Sequence, residues 1–139
     1  MNLINLSGKT IKVYSPLSCR YGHKGRIELI NNMEQPILEL PSVGHLVPQS
    51  EVDEEFVNGV PVIVQNYYSV DNPALYLDSS ASPENTGIVV SNLYASVARS
   101  LGVLDIKMYT LYKLVHRASE GSGGHARAGV VGCLGFESK

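Results

Sequence analysis

The fold is decided by residues 87–102, which read Gly-Ile-Val-Val-Ser-Asn-Leu-Tyr-Ala-Ser-Val-Ala-Arg-Ser-Leu-Gly. The first four residues are an apolar run that predicts a buried strand. Leu93, Val97 and Leu101 then recur at i, i+4 and i+8, while Tyr94 and Ala98 widen this apolar stripe. The pattern predicts a buried strand that leads directly into an amphipathic helix.

Both ends of this helix are marked by residues that favour helix termini. Ser91 is a good N-cap, because its hydroxyl can accept a hydrogen bond from an N–H group of the first turn. Gly102 is a good C-terminal stop, because glycine adopts the left-handed conformation at no steric cost. We therefore expect one principal helix at about residues 91–101.

The rest of the chain favours β-structure. The clearest signal is a hairpin of Glu55–Val57 and Val60–Gln65 around Asn58-Gly59, a dipeptide suited to a type I′ turn. Pro61 places the returning strand at an edge or at its first pairs. Further short strands are expected at 3–6, 10–14, 26–30 and 36–41.

In the C-terminal third, the local sequence pattern distinguishes less clearly between helix and strand. Residues 105–117 fit a helix in part, but their β-branched and aromatic content favours a strand. Residues 121–124 predict a flexible connector, and 128–136 a closing strand. Its glycines at 129, 132 and 135 indicate close approach by a neighbouring chain or a ligand. We expect a small β-rich α+β fold, a single domain over residues 1–139, with antiparallel hairpins.

Composition limits the class of protein. The chain has 139 residues, of which 44% are hydrophobic and 17% charged, with a net charge of −2. Such values are typical of globular domains, whereas general nucleic-acid binders are usually basic, so we expect no nucleic-acid partner. No apolar run reaches the about 18 residues of a membrane span, so we expect no membrane association. The absence of a signal-like start and the two distant cysteines favour a cytoplasmic location.

The charges are unevenly spread along the chain. Residues 1–27 contain five basic residues and no acidic one. All charged residues in 48–98 are acidic, and basic residues again outnumber acidic ones in 99–127. If the two basic segments meet in the fold, they form a local positive site. An ordinary mixed surface is the equally weighted alternative.

Common catalytic and metal-binding motifs are missing. The sequence has no GxxxxGK[ST] loop, no GxGxxG after a strand, no HExxH and no paired CxxC. Cys19 and His23 have metal-like spacing, but no second ligand pair follows, so we expect no metal and no cofactor. No catalytic residue is assigned, although His116 and His125 flank the glycine-rich connector and could act as an acid–base pair.

A ligand site is easier to build from these residues than a catalytic one. Tyrosine offers a stacking face, arginine a planar fork for phosphate, and the start of a helix free N–H groups. The predicted ligand-binding residues are Ser91, Asn92, Tyr94, Arg99, Tyr109, Tyr112, Arg117 and Arg127. Tyr94 equally fits a core position, Tyr112 a cross-strand pair and Arg99 a favourable helix end.

Three short blocks resemble small phage-borne proteins. Residues 5–14 resemble an opening strand that follows an Asn-Leu-Thr-Pro-His stretch, residues 89–95 a Val-Ser before a helix, and residues 128–133 a closing Gly-x-x-x-Gly-Cys strand. The chain departs from that pattern at residues 7–9, and extra residues lie before Glu51.

Some phage proteins of this kind look like the anti-Thoeris sponges, which bind cyclic ADP-ribose-type signals between subunits without cleaving them. The resemblance implies a homo-oligomer, with Asn92, Tyr109, Arg117 and Arg127 available for an interface site.

Three functions follow as hypotheses. The leading one is a bacteriophage anti-defence protein, not an enzyme, that sequesters a small cyclic nucleotide-type signal and so aids host immune evasion. The first alternative is an enzyme that degrades such a signal through His116 and His125. The second is a protein-binding or virion accessory module that uses the acidic stretch Glu51–Glu55.

Overall fold

A computed structural model describes residues 1–77, 83–118 and 129–139. These residues form ten strands and one α-helix. In chain order they are β1 (Asn2–Asn5), β2 (Ile11–Val13), β3 (Cys19–Tyr21), β4 (Ile27–Leu29), β5 (Leu38–Leu40), β6 (Pro48–Val57), β7 (Val60–Val70), β8 (Thr86–Val89), α1 (Asn92–Leu101), β9 (Lys107–His116) and β10 (Val130–Ser138). Short 3-10 turns lie at Pro16–Ser18, His23–Gly25, Pro73–Tyr76 and Pro83–Asn85.

The predicted strand–helix unit is present. All four residues of β8 are buried, Ser91 caps α1 by accepting from Tyr94 N–H, and Gly102 ends the helix in the left-handed conformation at φ 63°. Because β9 returns parallel to β8, with Gly87 opposite Lys107, the unit is a β–α–β crossover. The preference of residues 105–117 for a strand is confirmed.

The main sheet is mixed and has the order β1-β8-β9-β10-β2-β5, with β4 added at the far end of β9 and β3 beyond it. β1, β8 and β9 run parallel, β10 is antiparallel to β9, and β10 and β2 are parallel again. The small α+β fold with one helix is confirmed. The sheet also contains parallel strand pairs, because α1 and the long connections bring together strands that are far apart in the sequence.

The predicted hairpin is confirmed and is longer than expected. Asn58 and Gly59 have φ of 52° and 77°, as a type I′ turn requires, and Pro61 sits opposite Phe56 near the turn. β6 and β7 pair from Val57↔Val60 to Pro48↔Val70 and form a separate two-stranded sheet. We call this hairpin, residues 48–70, the acidic ribbon.

The buried side of α1 differs from the expected stripe. The buried helix residues are Tyr94, Ala95, Val97 and Ala98, whereas Leu93 is 50% exposed. Including Leu93 in the core stripe was therefore wrong. The helix rests on the sheet through the arc that contains its alanines, because these small side chains let the two layers approach closely. Leu93 lies on the flank of α1 next to Gln65 and Tyr67 of β7.

The close approach predicted for the β10 glycines occurs at Gly132, but the neighbour is different. A Cβ atom at Gly132 would collide with the Lys12 carbonyl oxygen and crowd the Tyr14 ring, whereas Gly129 and Gly135 have no close neighbour. The group that approaches Gly132 in this structure is the main chain of β2 in the same molecule. The predicted connector at 121–124 lies outside the described residues.

None of the helices in the described ranges is long and apolar enough to span a bilayer. The buried core lies in three clusters along the sheet. The largest joins β8 to α1 through Ile88, Tyr94 and Ala98, with Leu6 and Met108 on either side. This packing fixes the start of α1 against the carboxyl end of β8.

Candidate functional site

A cleft of about 640 Å³ opens at the carboxyl ends of the adjacent parallel strands β1 and β8. We call it the β1/β8 cleft. Its walls come from the β1–β2 loop and the start of α1, together with parts of β2, β9 and β10. In sheets with parallel strands, ligands commonly bind outside the carboxyl ends of neighbouring strands, where the following loops diverge.

The first turn of α1 forms one wall of the cleft. Ser91 and Asn92 line it, and the Ser91 hydroxyl accepts the N–H of Tyr94 at 3.1 Å. The N–H groups of Asn92 and Leu93 have no acceptor within the helix, because the first turn of any α-helix lacks preceding carbonyls. Together with the positive end of the helix dipole, these groups favour an anion at this wall.

Asn5 holds the opposite wall in place. It is 1% exposed, and its Nδ2 donates to the carbonyl oxygens of Lys9 and Leu40, each at 2.8 Å. Its Oδ1 accepts from the backbone N–H and the hydroxyl of Ser7, at 3.0 and 2.7 Å. One buried amide thus ties the β1–β2 loop to itself and to β5, so the loop is preorganised before any ligand arrives.

The same loop passes tightly against His45. Gly8 has φ of 86°, and a Cβ atom there would lie 2.7 Å from the His45 ring. Ser7 and His45 also form an antiparallel bridge, and Gly8 N–H donates to the Gly44 carbonyl at 3.1 Å. Glycine is required at this position both for the backbone conformation and for the closeness of the ring.

Thr110 is the most informative side chain in the cleft. It lies on β9, one residue beyond the last pair with β8, and it is only 1% exposed. Its Oγ1 is the buried side-chain oxygen or nitrogen that lacks a hydrogen-bond partner in the described part of the chain. A buried hydroxyl without a partner costs roughly 1–3 kcal/mol, which a ligand oxygen would offset if the side chains that cover Thr110 shift to admit it.

The charge of the cleft is positive. Lys9 and Lys12 line it from the β1–β2 loop and β2, and His45 stands beside them. No Asp or Glu from the described ranges lines this cleft. Of the two basic segments, the N-terminal one is therefore the segment whose described Lys side chains line the cleft. The far end of the cleft is apolar, with Leu111, Leu114 and Val130 on its surface.

The structure places Ser91 and Asn92 in the cleft and Tyr94 in the core. Tyr94 is fully buried, and its hydroxyl donates to the Asp71 carbonyl oxygen. Burial, and to a lesser extent the charge of Asp71, raises the pKa of Tyr94 to about 12. This side chain therefore fastens the segment after the ribbon to α1 and has no face open to a ligand.

Three further predicted residues lie apart from the cleft. Arg99 is exposed in a neighbouring groove that shares Asn92 with it. Tyr109 packs over Gly87, and its hydroxyl lies 3.2 Å from Met1 Sδ. Tyr112 is 44% exposed, with Lys113 Nζ 5.4 Å from its ring centroid.

The remaining predicted residues lie near or beyond the described ends of β9 and β10. Arg117 is exposed, and its N–H donates at 3.0 Å to the Gly129 carbonyl, next to the cleft residue Val130. Arg127 lies outside the described residues, as does His125. His116 is half-buried, with Nδ1 3.3 Å from the Ile27 carbonyl oxygen.

The predicted ligand-binding residues did not include Asn5, Lys9, Lys12, His45 and Thr110, although Lys9 and Lys12 belong to the N-terminal basic segment. The signal available for Lys9 was its position after the first strand, once the β–α–β unit is recognised, because that unit implies a binding edge. Nothing local marks Thr110, since its lack of a partner arises only from the tertiary packing around β9.

In the described residues, no group of three or more His, Cys, Asp or Glu side chains is placed to hold a metal ion. Comparison of the chain with protein-family models, curated proteins and solved structures found no match.

Proposed function

We propose that this protein binds a small phosphorylated ligand of the nucleotide class in the β1/β8 cleft and holds it without cleaving it. In this proposal it is an anti-defence protein that sequesters a cyclic nucleotide-type immune signal. The phosphate lies between the first turn of α1 and Lys9 and Lys12, and the apolar base or sugar face lies toward Leu111 and Leu114.

The observation that carries the proposal is the buried Thr110 hydroxyl beside the start of α1. A hydroxyl that is 1% exposed and has no described partner has a strong tendency to donate to a ligand acceptor. Phosphate oxygens are strong acceptors, and hydrogen bonds to charged groups contribute about 1.5–3 kcal/mol. The helix N-terminus and two lysines favour the same negative charge from two other directions.

The lining groups support retention of the ligand. Lysines, a hydroxyl and main-chain N–H groups bind anions from several directions, and the Asn5-braced loop requires little ordering when a ligand enters. Sequestration acts by mass action, so it needs a dissociation constant below the signal concentration and enough protein.

The first experiment is capture and release. The full chain is incubated with a panel of cyclic and linear nucleotides and with inorganic phosphate, freed of unbound ligand, and heated. An intact nucleotide released in about one copy per site supports the proposal. A chemically changed nucleotide in excess over protein overturns sequestration in favour of an enzyme. No bound nucleotide overturns the proposed ligand class.

A matched pair of variants tests the site. Thr110→Val removes the hydroxyl while keeping the shape, and we expect about tenfold weaker binding. It should leave the unliganded thermal midpoint unchanged or raise it, because the hydroxyl had no partner. Thr86→Val, buried at the opposite end of β8, should leave the affinity unchanged. Equal affinity for the wild type and Thr110→Val would remove the cleft from the proposal.

A further inference from the structure

The acidic ribbon is a separate two-stranded hairpin, and many of its apolar side chains are exposed to water. Phe56 is 68% exposed and Ile63 64%, and apolar residues stand on both of its faces. Its strands contain ten and eleven residues, so the ribbon extends over roughly 30–35 Å. Two-stranded sheets are marginal in water by themselves, so an exposed ribbon of this length indicates a surface that is covered in use.

Among the residues that the structure describes, the ribbon is held chiefly near its base. Gln49 Nε2 donates to Asp71 Oδ1 at 2.6 Å, and Ser69 Oγ donates to Gln49 Oε1 at 2.7 Å. α1 packs beside Gln65 and Tyr67. Toward the turn at Asn58, the side chains of both strands are largely exposed.

The charge of the ribbon is entirely negative. Its acids are Glu51, Asp53, Glu54 and Glu55, and its strands contain no Lys, Arg or His. None of these carboxylates forms an ion pair with a residue in the described ranges. Asp53 accepts only a hydrogen bond, from Asn66 Nδ2 at 2.8 Å.

A second surface of the same chain has the complementary character. We call it the basic lobe, residues 16–26, which contains β3 and the flanking 3-10 turns. It carries Lys24 and Arg26, which form no ion pair within the described ranges. It also exposes Leu17 to 88% and Tyr21 to 76%. β3 pairs only with β4 among the described strands, so one of its edges is unpaired.

These two surfaces belong to different elements of the molecule. The ribbon packs beside α1, whereas the lobe is attached through β4 to the His116 end of β9. We propose that the acidic ribbon of one copy docks on the basic lobe of a second copy. A two-fold axis makes both contacts at once, because each copy supplies one ribbon and one lobe.

Charge reversal tests this arrangement. Sedimentation of the wild type at about 50 mM salt should give twice the chain mass of 15.1 kDa, with return to monomer toward about 0.5 M salt. The ribbon variant Glu51→Lys/Asp53→Lys/Glu55→Lys, whose three positions share one face of β6, and the lobe variant Lys24→Glu/Arg26→Glu should each be monomeric at low salt. Circular dichroism and the thermal midpoint check that both remain folded.

The mixture of the two variants is the decisive sample. A basic ribbon then faces an acidic lobe, and an acidic ribbon a basic lobe, so both contacts regain opposite charges and dimers should form. The control Glu84→Lys/Asp105→Lys/Glu137→Lys makes the same change in net charge as the ribbon variant, but outside both surfaces, and should leave the dimer intact.

Two results would overturn the proposal. One is a wild type that stays monomeric at low salt up to about 100 µM, which assigns the ribbon to an unlike partner. The other is a mixture that stays monomeric while the control variant dimerises. Neither result bears on ligand binding in the β1/β8 cleft, which is measured separately.

Discussion

The β–α–β unit and the acidic ribbon are built from similar residues but differ in how deeply these residues are buried. Ile88 of β8 is fully buried beneath α1, whereas Ile63 of β7 is 64% exposed. Both strands are rich in valine and isoleucine, so local composition does not distinguish them. The difference is the second layer: α1 covers β8, and no described element covers most of the ribbon.

This contrast indicates that one region stabilises the fold and the other is available to bind a partner. Burial of apolar surface is the main favourable term in folding, so the unit around α1, which contains the largest buried cluster, contributes strongly to the stability of the chain. The ribbon adds hydrogen-bonded backbone but little burial. We therefore expect substitutions in the two regions to differ in size and in the property that they change.

The same substitution in both regions gives the largest contrast. Ile88→Ala should lower the free energy of unfolding by about 3–5 kcal/mol, because it leaves a cavity between β8 and α1. Ile63→Ala should lower it by less than about 0.5 kcal/mol, since its side chain is largely in water. Urea denaturation in about 0.5 M salt, where charge-mediated association is screened, measures both. Equal losses would show that the ribbon is part of the core.

Buried and exposed amides sharpen the comparison. Asn5→Ala removes four hydrogen bonds and leaves the Lys9 and Leu40 carbonyls without their donor, so we expect a loss of about 2–4 kcal/mol. Asn66→Ala in the ribbon breaks one exposed hydrogen bond to Asp53 and should cost about 0.5 kcal/mol or less. Denaturant midpoints distinguish the two, and a stable Asn5→Ala protein would contradict the bracing role of Asn5.

High pH should weaken the β–α–β unit through Tyr94. Its pKa is raised to about 12 in the folded state, against 10.0 ordinarily. Between these values the unfolded chain has lost the proton and the folded chain has kept it. The free energy of unfolding should therefore fall by roughly 2–3 kcal/mol as pH rises from 10 to 12, and level off above that. Tyr94→Phe should lack this component of the fall when unfolding is measured at several pH values.

The elements that the sequence predicted well are those with local causes. The helix at 91–101 follows from its caps Ser91 and Gly102, and the ribbon turn from Asn58-Gly59. The parallel pairing of β1 with β8 and of β10 with β2 joins residues far apart in the chain. No local periodicity encodes such pairing, so the mixed sheet and the ribbon's full length were not predicted.

In the candidate site, too, the residues with local causes were predicted and those that depend on tertiary packing were not. Ser91 and Asn92 lie in the cleft because a helix start is a local feature, so sequence reasoning found them. Aromatic and arginine content pointed elsewhere, to side chains such as Tyr94, which the fold uses as core. Thr110 gains its significance from a missing partner, which only tertiary packing creates.

Two glycines with the same backbone requirement provide the finest test of the contrast. Gly59 in the ribbon turn has φ of 77° and Gly102 after α1 has φ of 63°, and neither has a neighbour that a Cβ would touch. Replacing either by alanine therefore adds backbone strain alone, about 1 kcal/mol. Gly102→Ala should lower the global free energy of unfolding by this amount, because α1 is part of the core.

Gly59→Ala should instead act only on the ribbon. If the ribbon opens locally before the body unfolds, its amides should exchange about fivefold faster while the denaturant midpoint stays unchanged. Hydrogen exchange followed by mass spectrometry in about 0.5 M salt measures this, with the β8 and β9 amides as internal reference. A fall in the global midpoint equal to that of Gly102→Ala would mean that ribbon and body unfold as one unit, so that the ribbon's exposed face is supported by the core.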